Sequence, residues 1–451
     1  MNPLSLSEIA QLAGCSLSSG DGTVVIDKVS TDSRTIKRGE LFVALRGENF
    51  DGHNFVEAIA IAGAAAAMVD FDWKGSVPEN LALIRAKDTL QAYQQLAANY
   101  RKSLTLRVVA ITGSNGKTST KDFAAAVLAR RFRVTKTQGN FNNHVGLPQT
   151  ILEATSGDEV AVWEIGMNHP GEVAVLASIA APDVGIITNV GVAHIEFMGS
   201  RERIAEEKGA LAEAVGSEGT VILNADDPFS KGIATRTRGK VILAGTTAGT
   251  IRASEINQSG SGTDFTILED AHRCRAQLPV PGLHMVQNAL LAVAAGRVFA
   301  LSLEECAAGL VSAPLTKARL QVKEIRGVQF LDDSYNANPD SMFGIGLLLN
   351  IYRQGILEPP PKKPVAMTNT SLFRKMSILR SSPFTERSAK TVSSRKFWKS
   401  AESRTPVTES NQARRHSTKS CPKKDFANTT SSLRNGKSSK SATTQRFRFH
   451  S

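Results

Sequence analysis

Short apolar runs alternate with stretches of helical period through most of the chain, and the alternation stops near residue 342. Apolar runs at 41–45, 65–69 and 81–84 read as strands. A helix is expected over 55–62, and another, capped by Asp88, runs to about Tyr100. Together these predict a small α/β domain of residues 1–103. From 104 to 313, strands are expected at 108–111, 160–165, 184–190, 220–223 and 241–243, separated by helical or polar sequence. Such alternation predicts a parallel sheet covered on both faces. Alternating residues and a Gly/Pro ending over 263–281 add antiparallel strands to it. An alanine-rich helix from about Leu283 and another over 303–310 complete this part. A strand around 328–331 would begin a third unit in 314–342. The fold class is α/β.

Chemistry concentrates first in RVVAITGSNGKTSTKDFAAAVLARR, residues 107–131. Val108 to Ile111 suit one buried parallel strand, and Phe123, Ala124, Val127 and Leu128 make one face of a helix. Between them Gly113 and Gly116 let the backbone approach a phosphate, and the helix N-terminus favours an anion there. Lys117 supplies a charge, and the Thr118 hydroxyl can hold Mg²⁺. The spacing is GxxGKT, with Ile111 where the longer phosphate-loop pattern has its first glycine.

In a parallel sheet ligands sit at the carboxyl ends of the strands. Glu164 stands at the end of one predicted strand, Asn189 and His194 at the end of the next, and Asn224 and Asp226 past a third, all at that edge. Glu164 and His194 are candidate Mg²⁺ or acid–base groups; a helix cap and a structural histidine are the plainer alternatives. In RERIAEEKGALAEAV, Lys208 falls on the apolar stripe of Ile204, Leu211 and Val215. Its ammonium therefore either snorkels to solvent or meets an anion inside. The polar stretches at 31–34 and 46–53 read, by composition, as turns.

Composition changes the picture in two places. The four cysteines, Cys15, Cys274, Cys306 and Cys421, form no CxxC pair, which argues against a zinc knuckle or a disulfide framework and fits a reducing compartment. No signal peptide is apparent, and the most apolar run, 61–69, is far below the roughly 20 residues that a spanning helix needs. The expectation is a cytoplasmic protein without a membrane span, acting as a monomer. The net charge of +12 is unevenly spread: residues 343–451 hold 22 Lys+Arg against 5 Asp+Glu, which leaves 32 basic and 37 acidic residues before them. The body of the protein is thus mildly acidic, and the overall basicity is no argument for specific nucleic-acid binding.

TGSNGKTS, GNFNNHVGLP, EIGMNHPGE, NVGVAHIEFMGS with IAEEKG, LNADD, PGLHMVQNAL, ARL and DDSYNANPDSM occur in this order. With TDSRTIKRGELFVALRGENFDGHNFV in front, the chain from about Leu4 to Met342 resembles the Mur ligases of peptidoglycan synthesis. The resemblance implies ATP-dependent amide synthesis through an acyl phosphate, with UDP-N-acetylmuramoyl-tripeptide and D-alanyl-D-alanine as substrates and ATP and Mg²⁺ as cofactors. It implies that residues 1–103 bind the uridine substrate and 104–313 bind ATP. Gly113, Ser114, Asn115, Gly116, Lys117, Thr118 and Ser119 would hold the ATP phosphates, Asn288 adenine, Arg319 phosphate and Asp333 ribose. Thr118 and Glu164 would hold one Mg²⁺ and His194 a second. Lys208 matches a lysine that becomes a carbamate in several members, and Lys117, Glu164, His194 and Lys208 form the implied catalytic set. Thr31, Ser33, Arg34, Arg46, Gly47, Asn49 and Phe50 match uridine-nucleotide contacts, and Asn140, Asn142 and Asn143 substrate contacts. Met285 departs from the common Asn, and Ala318 from the common Gly. A folylpolyglutamate synthase is a related alternative, against which the TDSR and GENFDGHNF stretches argue.

The family pattern would continue into a Rossmann-like third domain, which here is only begun. Residues 343–451 hold 29 Ser+Thr, few aliphatics and no strand–helix alternation, a composition that predicts disorder. A break inside a motif's natural continuation points to a shifted reading frame; a basic tail for nucleic acid or an anionic membrane is the alternative. Ligation is expected to be impaired, and an inactive chain that still binds UDP-substrate and ATP is the competing reading.

Overall fold

The computed structural model describes residues 1–259, 262–314 and 316, and the backbone of strands at 321–325, 328–332, 365–368 and 378–379. The chain opens with β1 (Leu4–Ser5), α1 (Leu6–Leu12), β2 (Ser16–Ser19), β3 (Val25–Ile26), β4 (Val29–Ser30) and β5 (Leu41–Val43). Then follow α2 (Val56–Ile61), β6 (Ala66–Asp70), β7 (Ala82–Ala86) and α3 (Thr89–Ser103). Strands β4, β5, β6 and β7 run parallel in that order, and β2 pairs antiparallel on β7. Every residue of β6 is buried, as a parallel strand covered on two faces requires. The Asp88 carboxylate accepts from the Gln91 amide at 2.9 Å and starts α3.

The second sheet begins with β8 (Arg107–Thr112), α4 (Lys117–Leu128), β9 (Val134–Lys136), α5 (Gly146–Glu153), β10 (Val160–Glu164) and α6 (Glu172–Ala180). It continues with β11 (Val184–Ile187), α7 (Ile195–Met198), α8 (Arg201–Ala214), β12 (Thr220–Asn224), α9 (Ser230–Ala234) and β13 (Lys240–Gly245). After β14 (Ile251–Gln258), β15 (Thr263–Glu269) and β16 (His272–Leu278) come α10 (Leu283–Val298) and α11 (Leu303–Val311). The strand order is β16-β15-β14-β13-β12-β11-β8-β10-β9, parallel from β9 to β14 and antiparallel beyond. Strand β8 therefore lies inside the sheet, third from the β9 edge, with β10 on one flank and β11 on the other, so the phosphate-loop sequence lies where the chain changes direction across the sheet.

Alternation along β8 sends Val108 and Ala110 into one apolar cluster, and Val109 and Ile111 into the cluster on the opposite face. The first cluster does not stop at this sheet. It takes in Tyr93, Leu96, Ala97 and Tyr100 of α3, and Leu6 and Ile9 of α1, so the first hundred residues share a core with the second sheet. Polar contacts reinforce the junction. The Tyr93 hydroxyl donates to Gln149 Oε1 at 3.1 Å, and Gln149 Nε2 donates to the Val29 carbonyl at 3.0 Å. The Tyr100 hydroxyl donates to the Ala154 carbonyl at 2.7 Å.

The expected strand 184–190 stops at Ile187, because Thr188, Asn189 and Val190 leave the ladder to bond with other loops. The antiparallel addition is β15 and β16, within the expected 263–281; they pair on β14, a strand parallel to β13 that the sequence pattern did not single out. Strands β17 (Gln321–Ile325) and β18 (Val328–Asp332) pair antiparallel. β19 (Val365–Thr368) lies parallel to β18 and carries β20 (Ile378–Leu379), so two strands fall where composition predicts none. Arg319, Asp333, Ala318 and the rest of 343–451 lie outside the described residues. Among the described residues no helix is long and apolar enough to cross a membrane.

Leu96 is fully buried in the shared core. Leu96→Ala is expected to cost about 2–5 kcal/mol of stability. Urea denaturation of the full chain, followed by fluorescence and circular dichroism together, measures this.

Candidate functional site

The loop 113–116 is tightly determined. Gly113 has φ +149° and Gly116 φ +81°; a side chain at the first would run into Thr188, and at the second into the amide of Asn288. The loop after β11 laces it from outside. The Ser114 amide donates to the Asn189 carbonyl at 2.9 Å, and the Asn115 amide to Asn189 Oδ1 at 3.0 Å. In return Asn189 Nδ2 and Thr188 Oγ1 donate to the Asn115 carbonyl at 3.0 and 2.5 Å, and Ser114 Oγ accepts from the Gly191 amide at 2.8 Å. No side chain caps α4, so the positive end of its dipole is left for an anion. Lys117 Nζ lies over the loop, donating to the Gly113 carbonyl at 2.8 Å.

Next to this helix start is a buried carboxylate. Glu164 ends β10, is 3% exposed, and accepts from Thr118 Oγ1 at 3.0 Å through Oε2 and from Asn142 Nδ2 at 2.9 Å through Oε1. Its backbone amide donates to Thr137 Oγ1 at 2.9 Å. The carboxylate thus joins the phosphate loop's helix to the segment 137–143. In that segment Asn143 Oδ1 accepts from the Val145 and Gly146 amides, fixing the start of α5, while Asn140 is exposed. Ser119 is buried on α4.

Lys208 does not snorkel. It is 1% exposed, and its Nζ rests 3.6 Å from Met167 Sδ, a weak acceptor. Its neighbour Glu207 is occupied, accepting from the Gly171 and Val173 amides at 2.7 and 2.8 Å. Burial, with the nearby Lys117 charge, pushes the Lys208 pKa well below its ordinary value, so the neutral amine is favoured. His194 opens α7 with φ +64°, an uncommon conformation for a residue with a side chain. Burial first, then the charges of Lys117 and Lys208, lower its pKa and favour the neutral imidazole. Lys117, Lys208 and His194 therefore sense one another's charge. Among the described residues no three His, Cys, Asp or Glu side chains converge as a metal cage.

Asn288, expected at adenine, is buried with its amide against Gly116, at the underside of the phosphate loop. The start of α10 is tied down by Gln287 Nε2, which donates to Asp226 at 3.2 Å. Burial opposes the charge on Asp226, but bonds from Thr246 and Thr247 outweigh it and hold its pKa at about 2.

The candidate uridine residues lie in loops after β4 and β5, at the carboxyl end of the first sheet. Arg34 is exposed and held by Asp32, with Nε and a terminal nitrogen each donating at 2.8 Å. Thr31 and Ser33 are half-buried beside them. Arg46, Gly47, Asn49 and Phe50 are exposed in a loop closed by the Gly47 amide donating to the Phe50 carbonyl at 2.9 Å. Sequence reasoning missed a buried cluster on α4: Asp122 accepts from Lys136 Nζ at 2.7 Å and from the amide and hydroxyl of Thr316 at 2.9 and 2.6 Å. Thr316 stands at the exit toward the third unit. No local signal marks such a cluster, because its members come from three distant segments.

Two family models match the chain: "Mur ligase family, catalytic domain" over residues 25–101 and "Mur ligase middle domain" over 111–296. The chain is 43% identical over 324 residues to the UDP-N-acetylmuramoyl-tripeptide–D-alanyl-D-alanine ligase of Bacillus subtilis (strain 168), covering 70% of this chain and 69% of that one. It superposes on a crystal structure of MurF from Acinetobacter baumannii with a TM-score of 0.73 at 32% identity, over 78% of this chain and 77% of that one. A MurF ligase from Thermotoga maritima, solved in complex with ADP, gives a TM-score of 0.65 at 29% identity, over 71% and 74% of the two chains.

The burial of Lys208 has a thermodynamic signature. A base whose pKa is lowered by folding destabilises the folded state at neutral pH, and that cost fades as pH rises toward its unfolded value near 10.5. Lys208→Met, of similar length and without charge, is therefore expected to unfold at a higher temperature than the parent near pH 7. Its advantage should shrink steadily between pH 8 and about 10. Calorimetric melting across that range checks both signs.

Proposed function

This chain belongs to the Mur ligase family, whose members are ATP-dependent ligases, and from that premise we propose how its residues divide the work. The reaction we assign joins D-alanyl-D-alanine to UDP-N-acetylmuramoyl-tripeptide. The peptide's terminal carboxylate oxygen attacks the γ-phosphorus of ATP, the bond to the bridging oxygen breaks, and ADP departs. The dipeptide amine then attacks the carbonyl carbon of the acyl phosphate, phosphate leaves with the bonding pair, and the amine gives up its proton. Both steps build charge around phosphate, so positioning and cations supply most of the catalysis.

The observation that carries this reading is the contact between Thr118 and the buried Glu164, 3.0 Å apart at the open start of α4. A hydroxyl and a carboxylate beside a phosphate loop are hard oxygen donors, which fits Mg²⁺; phosphate and water oxygens would complete its shell. Bound there, the ion would offset charge on the phosphates. Lys117 and the loop hold those phosphates, with Ser119 beside them on α4. Asn142 keeps Glu164 oriented, and His194, as a neutral imidazole, can serve a second ion. Asn288, buried with its amide against Gly116, takes adenine beside the loop. Asn140, Asn142 and Asn143 are assigned to substrate contact. The loops of Thr31, Ser33, Arg34, Arg46, Gly47, Asn49 and Phe50 take the uridine nucleotide.

Lys208 enters as a carbamate. Its neutral amine attacks CO₂, an N–C bond forms, and one proton leaves to solvent, turning a costly buried base into an anion near the site. Burial lowers the pKa of this lysine, and that direction supports the reading, since only the free amine reacts. The break in sequence pattern after residue 342 supports a second reading, in which both nucleotides bind and the chain is inactive in ligation.

Lys117→Ala is expected to remove detectable ATP binding while leaving the fold intact, because its side chain lies over the loop and bonds the loop's own carbonyls. Calorimetric titration with ATP tests this, and unchanged affinity in a folded variant ends the phosphate-loop assignment. The purified full chain should form UDP-muramoyl pentapeptide, at a lower rate in CO₂-depleted buffer and with recovery on adding bicarbonate. No product despite binding of both nucleotides selects the inactive reading. Product formed at an unchanged rate without CO₂ removes the carbamate.

A further inference from the structure

The loop that follows β5 is built around a residue with no role in the reading above. His53 follows an exposed run yet is 4% exposed, and both of its ring nitrogens are used. Nε2 accepts from the Asp70 backbone amide at 2.9 Å, which leaves the ring proton on Nδ1. Nδ1 lies 2.6 Å from Asp51 Oδ1, which also accepts from the His53 amide at 2.9 Å. Asp70 is anchored in turn, its Oδ1 accepting from the Thr89 amide at 3.1 Å at the start of α3. The two carboxylates converge on one group: Arg46 Nε is 3.3 Å from Asp51 and 3.2 Å from Asp70.

The chain of contacts thus runs from the rigid end of β6, through the imidazole, to a half-exposed guanidinium. With Nε held from behind and one terminal nitrogen only 3.8 Å from the exposed Asp72 carboxylate, the outer edge of Arg46 can exchange that contact for phosphate or a base edge. Phe50, 60% exposed, stands over Gly47 in the same loop and offers a flat apolar surface.

We propose that His53 is the positioning residue of the uridine-nucleotide loop, locking Asp51 to the end of β6 so that Asp51 and Asp70 together aim Arg46 at the nucleotide. The proposal rests on the reading of residues 46–50 as uridine contacts. A histidine that only stabilised the fold would weaken every site together when removed. A positioning residue weakens this one.

The test titrates the full chain separately with UDP and with ADP, for the parent and for His53→Phe, His53→Asn, His53→Gln and Arg46→Ala. Asn places a donor where Nδ1 sits, whereas Gln preserves only the Nε2 side. His53→Phe and His53→Gln are expected to weaken UDP about tenfold, and His53→Asn by no more than about threefold, with ADP affinity unchanged in all three. Phe and parent binding UDP alike overturns the proposal, as does equal loss of UDP and ADP affinity, or an Asn variant no better than Phe. Arg46→Ala separates the two levels. If it weakens UDP while His53→Phe does not, the uridine reading stands and the positioning role falls; if it leaves UDP affinity unchanged, the uridine reading falls.

Discussion

A carboxylate taken out of water must find partners, and Glu164 finds them on two different segments. Thr118 belongs to the first turn of the phosphate-loop helix, and Asn142 to the loop that follows β9. By satisfying one buried charge these two residues bring separate parts of the chain to the same point at the edge of the sheet. The carboxylate lies beside the phosphate loop because β10 pairs directly with β8. If that pairing slipped by one residue, Glu164 would point to the other face and the arrangement would be lost.

Two features around this point are costly to the fold. Lys208 is a base buried against a thioether, and His194 holds a backbone conformation that side chains disfavour. Stable cores avoid both, and their clustering beside the phosphate loop is the pattern on which the proposed site rests. The lacing of the loop by Thr188, Asn189 and Ser114 offsets part of this cost, since each polar group there is paired across a long separation in sequence.

The first sheet is not an appendage. Its α3 contributes Tyr93, Leu96 and Tyr100 to a core that continues under the second sheet, and Gln149 bonds across the junction to Val29. Loops at the carboxyl end of the first sheet are therefore carried on a body continuous with the phosphate loop. Under the reading proposed above, a substrate held in those loops would be located relative to the phosphates through this shared core, which lowers the entropy cost of positioning.

Local rules made much of this legible. The strand, glycine turn and helix of residues 107–128 follow from short-range pattern, and helical period alone places Lys208 on the inward stripe. Composition likewise separates a mildly acidic body from a basic remainder. What the pattern could not contain is partnership at a distance. That Asn142 reaches Glu164, that Asn189 braces Asn115, that Asn288 supports Gly116 and that His53 joins Asp51 to Asp70 all depend on which strands lie side by side. Strand order arises from the burial of whole faces, a collective property, while each of these residues taken alone is an ordinary polar residue in a turn. Polarity is written in the sequence; which polar group answers which was decided only when the sheets closed over their cores.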